Sequence, residues 1–185
     1  MQTLVSILKK IFDDQNWTPE LLAEAETSYS FQKQLTEELD SKHDDFDEIT
    51  LLKIVLWKTN RYPQLKPDTI SLLNRLRNSY SDQSAREVLL HLLELKGFDL
   101  PMASTVLRFA CPNNLQIIDK RVYRLIMPEN EFKIPYSHTK KADLYFDYLE
   151  KLKIIAARCN IPFNRSDRIL YQLDKKLNSE VPINY

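Results

Sequence analysis

A single glycine, Gly97, stands in a chain of 185 residues, where an average usage of about 7% would supply roughly 13. Sheets rich in tight turns need glycine at positive φ, so a chain this poor in it is expected to fold as helices joined by Pro, Asn, Asp and Ser loops. The fold class that follows is all-α.

Lys and Arg number 26, as do Asp and Glu, so the formal net charge is zero and a uniformly basic nucleic-acid coat is excluded. A composition 43% hydrophobic and 28% charged is that of a soluble globular protein, and the length suits one domain, built as a single body or as two helical lobes. The neutral total hides an asymmetry. Residues 1–50 hold 4 Lys against 12 Asp or Glu, a net of −8, and the remainder holds 22 against 14, a net of +8. The split suits a later part facing a polyanion and an acidic first 50 residues open to a basic protein partner, although a solvated surface gives the same pattern.

Cys111 and Cys159 form no CxxC pair and have no histidine at ligand spacing, so no disulfide, no metal and a reducing, cytoplasmic setting are expected. The longest uninterrupted apolar runs, Ile54–Trp57 and Ile154–Ala157, are four residues each, whereas a membrane-spanning helix takes roughly 20. The opening stretch MQTLVSILKKIFDD has its lysines on the wrong side of a broken apolar run for a secretory signal.

Leu4, Ile7, Leu8 and Ile11 recur at helical spacing, and Thr18-Pro19 opens a second helix through Leu21, Leu22 and Ala25 toward Leu39. Further helices are predicted over Leu51–Leu56 up to Tyr62-Pro63, from Pro67-Asp68 through Leu76, and from a Ser84 or Asp82 cap through Leu95 to Lys96-Gly97. Others follow from Pro101 to Cys111-Pro112, from an Asp119 cap over Val122, Leu125 and Ile126, from about Thr139 to Cys159, and from Ser166 to Leu177. The acidic run Asp40–Glu48 lacks the sixth-position glycine of a calcium loop and reads as a solvated linker. His43, His91 and His138 form no spaced pair and read as structural.

Gly97 sits where a helical hairpin would turn. It can take the left-handed C′ position ending one helix, Pro101 is preset for the first turn of the next, and small Ala103 and Ser104 would allow close approach. The exposed N–H groups of such a helix start suit a phosphate oxygen.

The run Leu95-Lys96-Gly97-Phe98-Asp99-Leu100-Pro101-Met102-Ala103-Ser104, followed by Ile117-Ile118-Asp119-Lys120-Arg121-Val122-Tyr123-Arg124-Leu125, resembles the helix-hairpin-helix DNA glycosylases. In that family a glycine hairpin and a small-residue helix precede an aspartate by just over twenty residues, and Gly97 to Asp119 is 22. The likeness covers residues 86–126, and Arg165–Tyr171 is similar to the closing helix of a bacterial branch.

The resemblance implies one helix-hairpin-helix domain or two helical lobes, with acidic helices in 1–50, hairpin and aspartate in 84–127, and closing helices in 138–178. It implies a DNA partner, a monomer without cofactor, and a cleft for an extruded nucleotide where Asp119 assists water in hydrolysing the N-glycosidic bond of a damaged or modified base. The alternative for Asp119 is a plain N-cap contributing ~1 kcal/mol to its helix. Pro101 occupies the position of the Schiff-base lysine of bifunctional members, so a monofunctional hydrolase is implied, with Lys120 read as a phosphate contact. Asp99 replaces the second hairpin glycine and would repel phosphate unless it turns back to cap its own helix. Two cysteines cannot hold the four-cysteine iron–sulfur loop of some relatives.

The implied DNA-backbone contacts are Gly97, Phe98, Asp99, Leu100, Met102, Ala103, Lys120, Arg121 and Arg124. Arg108, Lys140, Lys141, Arg165 and Arg168 extend the basic patch. Trp57, Lys58, Arg61 and Tyr62 combine stacking surface with cations and suit a base pocket or a duplex wedge, the alternative being a core Trp with surface cations. Two rival readings are a DNA-binding module without chemistry and a helical protein-interaction adaptor.

Overall fold

The computed structural model describes residues 26–28, 30–41, 47–60, 63 and 65–180. The described residues are helical and contain no strand, so the fold is all-α. The chain divides into two compact units, Met1–Tyr62 and Pro63–Tyr185. The helices expected around Leu4–Ile11 and Thr18–Ala25 lie outside the described residues.

In the first unit, α1 spans Lys33–Asp40 and α2 spans Glu48–Lys58. A continuous helix reaching Leu39 does not form: Gln32 takes a left-handed φ of 45° and starts α1 afresh. Asp47, at the end of the acidic run, caps α2 by accepting from the Thr50 N–H at 2.7 Å and the Thr50 hydroxyl at 2.6 Å. Residues 42–46 of that run, His43 among them, lie outside the described residues. α2 stops at Lys58, short of Pro63, because Asn60 turns left-handed at φ 53°. Trp57 Nε1 donates to Thr36 Oγ1 at 2.9 Å and its ring meets Phe31 edge-on at 5.3 Å, so this indole ties α2 to α1.

The second unit holds α3 (Thr69–Asn78), α4 (Asp82–Leu93), α5 (Leu100–Ala110), α6 (Lys120–Ile126), α7 (His138–Arg158), a single 3₁₀ turn (Phe163–Arg165) and α8 (Ser166–Leu177). The cap of α4 is Ser81 rather than Ser84 or Asp82: Ser81 Oγ accepts the Ser84 N–H at 3.0 Å and Ser84 Oγ accepts the Ser81 N–H at 3.1 Å, a reciprocal box. His91 is structural, with Nε2 2.8 Å from Thr69 Oγ1.

One core joins α3 through α8. Leu89, Leu92, Leu100, Leu107, Leu115, Ile118, Val122, Tyr145 and Leu152 are fully buried within it, and each large apolar side chain so covered contributes about 1.5–3 kcal/mol. The hairpin forms with a shifted turn. α4 ends at Leu93, and Gly97 stands beyond its C′ position, third in a turn closed by the Phe98 N–H donating to Leu95 O at 3.1 Å. Gly97 has φ 92° there, a left-handed conformation that glycine adopts without strain. A Cβ there would meet nothing within 4 Å, so backbone conformation alone selects glycine.

Candidate functional site

The approach to Asp119, residues 115–119, lies outside any helix and buries Leu115, Gln116 and Ile118, so no helix of its own satisfies its peptide groups. Buried peptide groups need partners, and three side chains supply them in succession. Tyr145 Oη donates to Gln116 O at 2.9 Å, Tyr148 Oη donates to Ile117 O at 2.8 Å, and the Ile118 N–H donates to Ser104 Oγ at 3.2 Å. Ser104 and Ala103 are fully buried, and the Ser104 bond to the Ile118 N–H brings this segment against α5. Burial pushes the Tyr148 hydroxyl well above its ordinary range, and the charges of Tyr145, Asp167 and Asp119 push the same way. Both aspartates therefore stand within electrostatic reach of one hydroxyl.

At the end of the pinned stretch, Asp119 is the N-cap of α6. Its Oδ1 accepts the Arg121 N–H at 2.7 Å and its carbonyl accepts the Tyr123 N–H at 2.8 Å. A carboxylate offers about four lone-pair sites, so the cap leaves acceptor capacity. Asp119 also lines a cavity of about 380 Å³ with Ile117, Val122, Asp167, Arg168, Tyr171 and Gln172. That volume lies within the roughly 300–1,000 Å³ of small-molecule sites.

The far wall of the cavity is α8. Asp167 is 5% exposed; its Oδ1 accepts the Arg168 N–H at 2.7 Å, and its Oδ2 lies 3.5 Å from Arg108 Nε. Tyr171 presents a ring with the Arg121 guanidinium 5.6 Å and the Lys175 ammonium 6.0 Å from its centroid. Sequence reading assigned no role to Asp167, Tyr171 or Gln172. The signal was a charged residue in the apolar rhythm of α8, where Asp167, Leu170 and Asp174 all face inward.

Arg121 and Arg124, expected on DNA phosphates, are engaged inside the protein. Asp174, fully buried, accepts from Arg124 Nε at 2.5 Å, Arg124 Nη2 at 2.7 Å, Arg121 Nη1 at 3.1 Å and Asn178 Nδ2 at 2.8 Å. Burial pushes the Asp174 carboxyl up, but hydrogen bonds from Arg124, Asn178 and Arg121 outweigh it and hold it below the usual carboxylate range. These guanidiniums knit α6 to α8. Lys120 is half-buried beside them. Arg108, counted with the basic patch, is 7% exposed and donates to Asn164 O at 3.0 Å. Lys140, Arg165 and Arg168 are exposed.

At the hairpin, Gly97 and Asp99 are exposed, Met102 is 48% exposed and Phe98 is half-buried. Leu100 and Ala103, expected among the DNA-backbone contacts, are fully buried, main chain included, so neither is open to a ligand. Asp99 turns back on its own helix. Its Oδ1 accepts the Leu100 N–H at 2.7 Å and the Lys141 ammonium at 2.6 Å. Burial raises the Asp99 carboxyl, yet the Lys141 bond, the Leu100 N–H and the Lys141 charge together hold it below its ordinary range. Trp57 and Lys58 belong to the first unit, the former half-buried and the latter exposed; Arg61 and Tyr62 lie outside the described residues.

Among the described residues no cluster of His, Cys, Asp and Glu could hold a metal ion, and no helix is long and apolar enough to cross a membrane. Cys111 and Cys159 are free thiols, the first buried and the second exposed. Compared with known proteins, the chain matches no family model, no curated protein and no solved structure.

Proposed function

We propose that the chain is a DNA glycosylase-like hydrolase that cleaves the N-glycosidic bond of a damaged or modified base held in the cavity between α6 and α8. The observation that carries this reading is the Asp119 carboxylate, fixed by a pinned backbone and bordering a hollow of about 380 Å³ whose opposite wall bears Asp167, Tyr171 and Gln172. The C1′ carbon is out of reach within a duplex, so the nucleotide must leave the stack. Tyr171 offers an aromatic face to an extruded ring, and Asp167 and Gln172 offer polar groups to its edge.

In the reaction, a water oxygen bonds to C1′ as the C1′–N bond breaks and its electron pair departs with the base nitrogen. The Asp119 carboxylate takes the water proton and stabilises the cationic sugar, and that proton then passes to the base nitrogen. General-base assistance of this kind contributes about 10²–10⁴-fold. The test is base release from a panel of duplexes carrying modified bases, by wild type and by Asp119→Asn. Release by wild type alone supports the reading; equal release from both, or none from either, refutes it.

A second reading, DNA binding without chemistry, is favoured by the Asp119 Oδ1–Arg121 N–H bond, which by itself accounts for an aspartate at that position. It predicts a duplex affinity that falls with salt and is unchanged in Asp119→Asn.

A further inference from the structure

Behind the α8 wall of the cavity lies a buried charge pair. Arg108, 7% exposed, reaches from α5; its Nη2 is fixed on Asn164 O at 3.0 Å, while its Nε makes no hydrogen bond and lies 3.5 Å from Asp167 Oδ2. The contact is an ion pair without a hydrogen bond. It compensates the carboxylate charge while leaving Asp167 acceptor capacity toward the cavity it lines. The charged residues lining that cavity are Asp119, Asp167 and Arg168. Arg121 and Lys175 stand over Tyr171 on the same wall, but Arg108 is the cation placed against Asp167, so its removal makes the cavity more negative at that carboxylate.

We infer that Arg108 is a positioning residue that holds Asp167 as a charge-compensated acceptor, so that the cavity takes a neutral ring edge bearing N–H donors in preference to a cation. This inference rests on the reading of the cavity as a base pocket, and adds to it which charge state of base is admitted. A buried carboxylate left without its cation would attract positive ligands strongly, because few water molecules screen it. Paired, it discriminates by donor geometry.

Guanosine and 7-methylguanosine test this directly, since below the loss of its ring proton the methylated nucleoside presents the same donor edge with a positive charge. Binding of each to the full chain is followed by ligand-observed NMR, with thermal melting alongside. Wild type and Arg108→Lys are expected to favour guanosine. Arg108→Met should move the affinity ratio toward the cation by about tenfold, the order expected for one charge beyond contact range and partly screened by solvent. Asp167→Asn, which leaves Arg108 uncompensated, should move the ratio the opposite way, and serves if Arg108→Met fails to fold. A ratio unchanged in both variants, whatever their melting temperatures, overturns the inference, as does a wild type that binds neither nucleoside. Failure of the hydrolytic reading is seen separately, as base release unaffected by Asp119→Asn.

Discussion

The Ser104 hydroxyl accepts the backbone N–H of Ile118 at 3.2 Å and donates to Pro101 O at 2.9 Å, linking the first turn of α5 to the residue just before Asp119. The hairpin and the candidate carboxylate are thereby one construction.

Ser104→Ala leaves the buried Ile118 N–H without a partner, which costs about 1–3 kcal/mol. Urea unfolding of this variant should show a lower midpoint with an unchanged slope. A midpoint equal to wild type would mean that the Ile118 N–H gains another acceptor.

The buried Asp174 makes stability depend on acid. Its carboxyl is held below the ordinary range when folded, so its contribution is present above the unfolded value and is lost as pH falls through the folded one. Unfolding free energy is therefore expected to decline below about pH 4. Asp174→Asn should remove that part of the decline and cost about 3–5 kcal/mol at neutral pH, because Arg124 and Arg121 lose the negative charge they share. An acid limb identical in both proteins would assign the effect elsewhere.

Gly97→Ala should destabilise by about 1 kcal/mol through its positive φ alone, since an added Cβ meets no neighbour. Thermal melting reads this. A loss of several kcal/mol would point to a close contact at this turn.

Asp99 places a negative charge at the start of α5, partly offset by Lys141. Asp99→Asn keeps a capping side chain and removes the charge. Duplex affinity at low salt should tighten, and in Lys141→Met it should weaken, because Asp99 is then uncompensated. Equal affinities across the three proteins would remove the hairpin from the DNA-facing surface.

Much of the second unit was legible from local pattern. One glycine ahead of Pro101 marked the hairpin, and an aspartate ahead of Val122, Leu125 and Ile126 marked the α6 cap, since both are set by residues adjacent in sequence. The misread parts depend on distant partners. Arg121 and Arg124 looked like phosphate ligands because Asp174, their acceptor, lies 53 and 50 residues away. Asp167 attracted no role for the same reason: its cation arrives from α5. The cap of α4 was placed late because Ser84 has the right chemistry at N3, where it answers Ser81 rather than starting the helix.

The central claim is that the Asp119 carboxylate does chemistry beyond capping, and Asp119→Asn separates the two roles, because asparagine caps a helix about as well as aspartate. Melting temperature and single-turnover base release are measured together on wild type and this variant. The account predicts a melting temperature within a few degrees of wild type and release slowed by about 10²-fold or more. Release at the wild-type rate from a folded Asp119→Asn protein would contradict it.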